Sequence, residues 1–182
     1  RKLSRKKIIT HISNFRPVKR IVDVIRIFYN TCQKIDSQLM MIGDGPDLSK
    51  AKSLVKEYNL ESRVSFLGKS RSIDRILKYT DLFLLPSESE SFGLVALEAM
   101  SFGIPVITTN SGGITELVKD GETGYACNVG DIVNMSRLSI DLLSDSDLYS
   151  KLSANAYRRA QKYDINEIIP LYEDCYLTVL NN

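Results

Sequence analysis

The chain has 182 residues, of which 43% are hydrophobic and 25% charged, with a formal net charge of +2. That length fits one domain able to bury a substantial core, and the composition is that of a soluble globular protein. The small charge leaves no electrostatic footprint for nucleic acid. No apolar run approaches the roughly 18 residues needed to span a membrane, and nothing resembles a signal peptide.

The opening RKLSRKK is a basic run with one apolar side chain, read as a solvated tail or linker over residues 1–6. The chain lacks an initiator methionine, so the expectation is that another domain precedes the one filling residues 7–182. KIITHIS (7–13) reads as a strand, and Ile21, Val24, Ile25 and Phe28 then follow the i, i+3, i+4, i+7 stripe of a helix. QLMMIG (38–43) is the next strand, ended by the turn-forming GDGP. A helix is expected over 47–58, a strand over 63–68 and a short helix over 72–79. LFLLP (82–86) is apolar enough to need cover on both faces, as in a parallel sheet between helices. A helix after Gly93 precedes PVITT (105–109), a glycine pair, a short helix and TGYAC (123–127). Two helices split near SDSD (144–147) follow, with Asp147 expected as the N-cap of the second, and Pro170 is expected to interrupt a last one.

Strand and helix alternating at this spacing predict an α/β domain, a Rossmann-like doubly wound parallel sheet with helices on both faces. Such sheets bind ligands beyond the carboxyl ends of their strands. Chemistry is therefore sought in the loops 14–19, 43–46, 68–71, 86–92 and 109–113.

In the first loop, Arg16 and Lys19 would suit a diphosphate, although as residue types alone they read as solvated surface charges. GDGP (43–46) is no dinucleotide fingerprint, because Leu48 stands where the third glycine belongs; its glycines mark a turn that another group approaches closely. In SESESFG (87–93) the small residues at 87, 89, 91 and 93 leave backbone N–H groups accessible at a helix start, which favours an anion. Glu90 lies in this loop. Glu98 lies a turn into an otherwise apolar helix, where a carboxylate is expected to have a partner, unless it simply faces solvent. Gly112 and Gly113 would permit close approach to a ligand, or simply make a strand-to-helix turn. Cys32, Cys127 and Cys175 show no CxxC pairing and fit a reducing cytoplasm. With His11 as the only histidine, a zinc site is not expected.

Glu90 and Glu98, with seven residues between them in ESFGLVALE, resemble the E-x7-E motif of the retaining glycosyltransferases of family 4. GDGP, VSFLG, SFGLVALEAMSFGIPVITTNSGGITELV and GETGY resemble, in order, that family's C-terminal nucleotide-sugar-binding domain, one half of a GT-B enzyme. HISNFRPVKR is similar to the subgroup of N-acetylglucosaminyl L-malate synthases of bacillithiol biosynthesis. The resemblance implies a UDP-sugar donor and a small-molecule acceptor held mainly by a second domain, with no metal or other cofactor. It implies that Glu98 binds the ribose hydroxyls, that Glu90 holds the donor sugar, and that Phe92, Gly93 and Leu94 meet the sugar and diphosphate through their backbone. The uracil would rest near Gly68, Lys69 and Ser70. Lys19 matches the family's phosphate-binding lysine; the family's arginine position is here Asn14, and Arg16 is taken as its substitute. The implied reaction is transfer of N-acetylglucosamine from UDP to L-malate with retention, with Arg16, Lys19 and Glu90 as catalytic residues. An isolated half is expected to bind donor and turn over poorly. Alternatives are a related transferase of other specificity, an epimerase acting on UDP-N-acetylglucosamine, a non-catalytic nucleotide-sugar-binding module, and a glycosidase using both glutamates.

Overall fold

The structure is a computed structural model and describes residues 6–70 and 72–180. Most of the expected linker therefore lies outside the described residues. Strands β1 (Lys7–Ile12), β2 (Ser37–Ile42), β3 (Val64–Gly68), β4 (Leu82–Leu85), β5 (Val106–Thr109) and β6 (Gly124–Cys127) form one sheet in the order β3-β2-β1-β4-β5-β6. Every neighbouring pair is parallel. Each strand falls within one residue, at either end, of its expected bounds. The doubly wound reading holds, and the order reverses between β1 and β4, where such sheets open a crevice.

The helices follow from apolar spacing. Ile21, Val24, Ile25 and Phe28 are fully buried on α1 (Ile21–Cys32), which packs on one face of the sheet with α2 (Leu48–Glu57) and α6 (Ile132–Ser144). On the other face lie α3 (Ile73–Leu77), α4 (Leu94–Ser101), α5 (Ile114–Leu117) and α7 (Ser146–Gln161). β4 serves both layers: Leu82 and Leu84 join the first core, Phe83 and Leu85 the second. All four are fully buried, which is why this strand carries no alternation of polarity.

Two expectations about the C-terminal helices are corrected. The N-cap of α7 is Asp145, whose carboxylate accepts from the N–H groups of Asp147 (2.9 Å) and Leu148 (3.0 Å). Asp147 lies inside the first turn and supplies only a favourable charge there. Pro170 does not interrupt the last helix: α8 (Ile165–Leu180) runs through it. Proline at that point removes one donor to the carbonyl of Asn166, on a stretch so exposed that water can take its place. None of the residues of α8 is buried. Among the described residues no helix is long and apolar enough to cross a membrane.

Asp145→Ala is expected to lower stability by about 1 kcal/mol through loss of the cap, whereas Asp147→Ala costs roughly 0.3 kcal/mol as a lost first-turn charge. Urea denaturation of both variants checks this, and the reverse ranking would place the cap at Asp147.

Candidate functional site

A cavity of about 550 Å³ opens at the carboxyl ends of the central strands. Its walls come from four loops: Ile12, Ser13, Asn14 and Lys19 after β1, Gly43 and Asp44 after β2, Lys69 after β3, and residues 90–95 after β4. These are four of the five loops singled out in the sequence. The fifth, 109–113, contributes no wall residue and supports the site from behind.

The loops are held by backbone contacts. The N–H of Gly43 donates to the carbonyl of Gly68 (2.8 Å), joining the loops after β2 and β3. A Cβ on Gly43 would stand 1.7 Å from the carbonyl oxygen of Ser13, and one on Gly45 2.1 Å from that of Asn14. The close approach read from GDGP is thus made by the loop after β1. Phe15 adopts a left-handed φ of 44°, a strain of about 1–3 kcal/mol for a side chain with a Cβ. Full burial of its ring, worth roughly 2 kcal/mol, offsets this and anchors the loop.

At the cavity's centre, Lys19 Nζ donates to Glu90 Oε1 at 2.6 Å. Ser87 Oγ donates to the same oxygen at 2.7 Å, and Glu90 is only 8% exposed. Two donors on Oε1 leave Oε2 without a donor among the described residues. That oxygen remains accessible, because among the described residues the sole buried side-chain polar atom lacking a partner is Arg159 Nε. The N–H of Glu88 donates to the carbonyl of Val18 (2.8 Å), bringing the loop after β4 onto the 3-10 turn Pro17–Lys19 that carries the lysine. Next to Glu90, α4 starts at Gly93 (φ 84°), and no side chain caps it. The first-turn N–H groups of Leu94 and Val95 lie too early in the helix to have an internal partner, and both residues border the cavity.

His11, missed in the sequence except as a reason against zinc, lies fully buried beneath this loop. Its Nδ1 donates to the carbonyl of Leu84 (2.8 Å), which can only accept. Nε2 therefore accepts from Ser13 Oγ (2.8 Å), and Ser13 Oγ accepts in turn from the N–H of Phe15 (3.3 Å). Burial, opposed by the Leu84 carbonyl, holds the imidazole pKa down to about 4, so the ring is neutral at neutral pH. A lone histidine in an apolar strand gives no sequence signal for this role.

Asn14, Lys19, Lys69, Glu90, Phe92, Gly93 and Leu94 all line the cavity. Arg16, Gly68, Ser70 and Glu98 do not line it. Arg16 is exposed and makes no side-chain hydrogen bond or ion pair among the described residues, so it and Lys19 are not a preformed pair. Gly68 and Ser70 flank Lys69 just outside the wall. Of the two readings left open for Glu98, a partnered carboxylate or a solvent-facing one, the second holds: its carboxylate is exposed and has no partner among the described residues. The reason is that α4 buries Ala96, Ala99 and Met100 on one side and turns Leu94, Glu98 and Ser101 outward. Glu98 lines two smaller clefts instead, one against Ile73, Asp74 and Leu77 of α3 and one against the end of α7. It follows Leu94 one turn along the outer face, about 6 Å from the cavity wall. Gly112 and Gly113 approach the protein itself rather than a ligand. A Cβ on them would stand 2.2 Å from the carbonyl oxygen of Glu90 and 1.9 Å from that of Ser91. Among the described residues no group of three or more His, Cys, Asp or Glu side chains is placed to hold a metal ion.

Residues 1–159 match the family described as "Glycosyl transferases group 1". An N-acetyl-alpha-D-glucosaminyl L-malate synthase of Bacillus anthracis is 42% identical over 97% of this chain, which spans 46% of that protein. The crystal structure of the C-terminal domain of a Francisella tularensis glycosyl transferase group 1 family protein superimposes with a TM-score of 0.79, at 28% identity and 87% coverage of each chain. An Anabaena HepE in complex with UDP-glucose gives a TM-score of 0.86 at 24% identity, over 98% of this chain and 50% of that one, a likeness of fold.

His11 makes stability pH-dependent in a defined direction. Its folded pKa of about 4 lies below the ordinary 6.5, so on acidification the unfolded chain takes up the proton first. The neutral ring therefore costs nothing above pH 6.5. Between pH 6.5 and 4 it lowers stability progressively, by a total on the order of 3 kcal/mol. Urea denaturation across this range should show that loss, and His11→Asn should flatten it; an unchanged slope would mean the ring is not held neutral.

Proposed function

Because the chain belongs to the group 1 glycosyl transferases, we propose that it is the nucleotide-sugar-binding half of a retaining hexosyltransferase. We assign to the whole enzyme the transfer of N-acetylglucosamine from a uridine diphosphate donor to the hydroxyl of L-malate, the step the sequence resemblance ties to bacillithiol. The observation that carries the donor site is the juxtaposition of the accessible Glu90 Oε2, the Lys19 ammonium and an uncapped helix start around one cavity. The malate synthase assignment is supported by the 42% identity to the protein of that name.

In this reading the α4 start takes the diphosphate, whose negative charge meets the free first-turn N–H groups and the helix dipole. Lys19, held against Glu90, lines the same cavity as the α4 start and stabilises the charge that grows on the diphosphate as the glycosidic bond breaks. Glu90 keeps Oε1 for Ser87 and Lys19 and offers Oε2 to a sugar hydroxyl, which makes it a positioning group. The nucleoside then runs along the outer face of α4, past Leu94 to Glu98, where the ribose hydroxyls find an unpartnered carboxylate. The base rests at Gly68, Lys69 and Ser70. Lys19 is the cation that acts on the phosphates; Arg16 joins it only if the exposed loop turns inward on binding.

No metal is assigned to the step, since a lysine and backbone N–H groups supply the counter-charge. The acceptor is assigned to a second domain, so this chain by itself is a donor binder, working in the cytoplasm with free thiols. A glycosidase with Glu90 and Glu98 as a catalytic pair is disfavoured, because the two carboxylates line different clefts.

Calorimetric titration of the chain with UDP, uridine and GDP, without added metal, should show binding selective for uridine nucleotides. Glu98→Ala should weaken UDP and uridine alike by about 1.5–3 kcal/mol, the usual size of a charged hydrogen bond. Lys19→Met should weaken UDP by a similar amount, roughly 1.5–3 kcal/mol, and leave uridine nearly unchanged. Equal losses for both ligands in Lys19→Met would remove the lysine from the phosphate site.

A further inference from the structure

Just past the end of α7 one side chain, braced by a second, reaches back to the wall of the cavity. The ring of Tyr163 meets that of Phe92 edge to face, with centroids 5.3 Å apart at 66°. The Arg159 guanidinium lies 5.3 Å from the centroid of the same tyrosine. Arg159 Nη2 donates to Tyr163 Oη (3.0 Å) and to the carbonyl of Glu116 in α5, and Tyr163 Oη donates to that carbonyl at 3.4 Å. α5 in turn abuts the loop through Gly113, which leaves no room for a Cβ beside the carbonyl of Ser91. Phe92 is thus held between α5 and the end of α7.

Core packing accounts for only part of this arrangement. α7 buries Leu152, Ala156 and Ala160, and Tyr163, beyond its last turn, packs partly buried against the same core while keeping its hydroxyl on Glu116 and its ring on Phe92. Arg159 is kept there although its Nε is buried without a partner, an unfavourable feature that its reach to Tyr163 and Glu116 accounts for. Tyr163 also borders, with Glu98, the cleft on the outer face of α4. It therefore touches both the cavity loop and the surface assigned to the nucleoside.

We propose that Tyr163, held by Arg159, is a positioning residue for the donor site: it fixes the Phe92 ring and with it the backbone of Phe92 and Gly93 at the cavity wall. The binding half of this inference rests on the nucleotide-sugar reading above; the structural half does not. In the ligand-free chain, Tyr163→Leu should speed amide hydrogen exchange at residues 91–93 by roughly 3- to 10-fold, the loss of one aromatic pair, while Tyr163→Phe stays within about 2-fold of wild type. Tyr163→Leu should weaken UDP by the same roughly 3- to 10-fold with Tyr163→Phe restoring it. The double variant Phe92→Leu/Tyr163→Leu should bind no worse than the weaker single one. Arg159→Gln releases the tyrosine without removing it, raises exchange at the same amides, and serves if Tyr163→Leu does not fold. Unchanged exchange at 91–93, or losses that multiply in the double variant, would overturn the assignment. If exchange responds as stated but wild-type chain binds no UDP, the nucleotide reading fails and the brace stands.

Discussion

A carboxylate that is 8% exposed must be satisfied by its surroundings, and much of the site is arranged around that demand at Glu90. Ser87 and Lys19 converge on one of its oxygens, and each is itself tied down. The carbonyl of Ser87 accepts from Thr109 Oγ1 at 2.6 Å, so the loop after β4 is clamped to the end of β5. The lysine sits on a 3-10 turn whose carbonyl at Val18 accepts from the N–H of Glu88. The ion pair therefore joins two loops that leave neighbouring strands, at the point where the strand order reverses. Partial burial strengthens the attraction within the pair and at the same time costs desolvation of both charges.

Glycine supplies the second constraint. Gly43, Gly45, Gly112 and Gly113 all stand where a Cβ would lie about 2 Å or less from a backbone oxygen of an adjacent loop. They are what lets four loops close into one wall. All four glycines bring the protein's own backbone together, and Gly43 also lines the cavity. His11 and Phe15 complete this from below, a neutral ring and a strained but buried one, each fixing the path of residues 13–15.

The outer face of α4 runs from the main cavity past two separate clefts. Leu94 borders the main cavity and Glu98 the clefts beyond it, on one line along the helix. The chain spans 46% of the length of the malate synthase it matches.

The sequence by itself determined the elements, the parallel sheet and the loops that wall the cavity. Apolar periodicity and glycine placement are local signals, and hydrophobic strands such as LFLLP can be buried in only a few ways. E-x7-E likewise located both glutamates. Their different fates were legible only in three dimensions: the sequence separation does not say that Glu90 turns inward to Lys19 while Glu98 faces solvent, since that depends on which side of α4 meets the sheet. Local pattern also misjudged Asp147 and Pro170, where a cap two residues earlier and an exposed helix changed the outcome. The His11–Ser13–Phe15 chain and the contact of Tyr163 with Phe92 join residues through packing across separate elements. Only the tertiary structure decided these, because hydrogen bonds and ring contacts depend on distances that no linear spacing encodes.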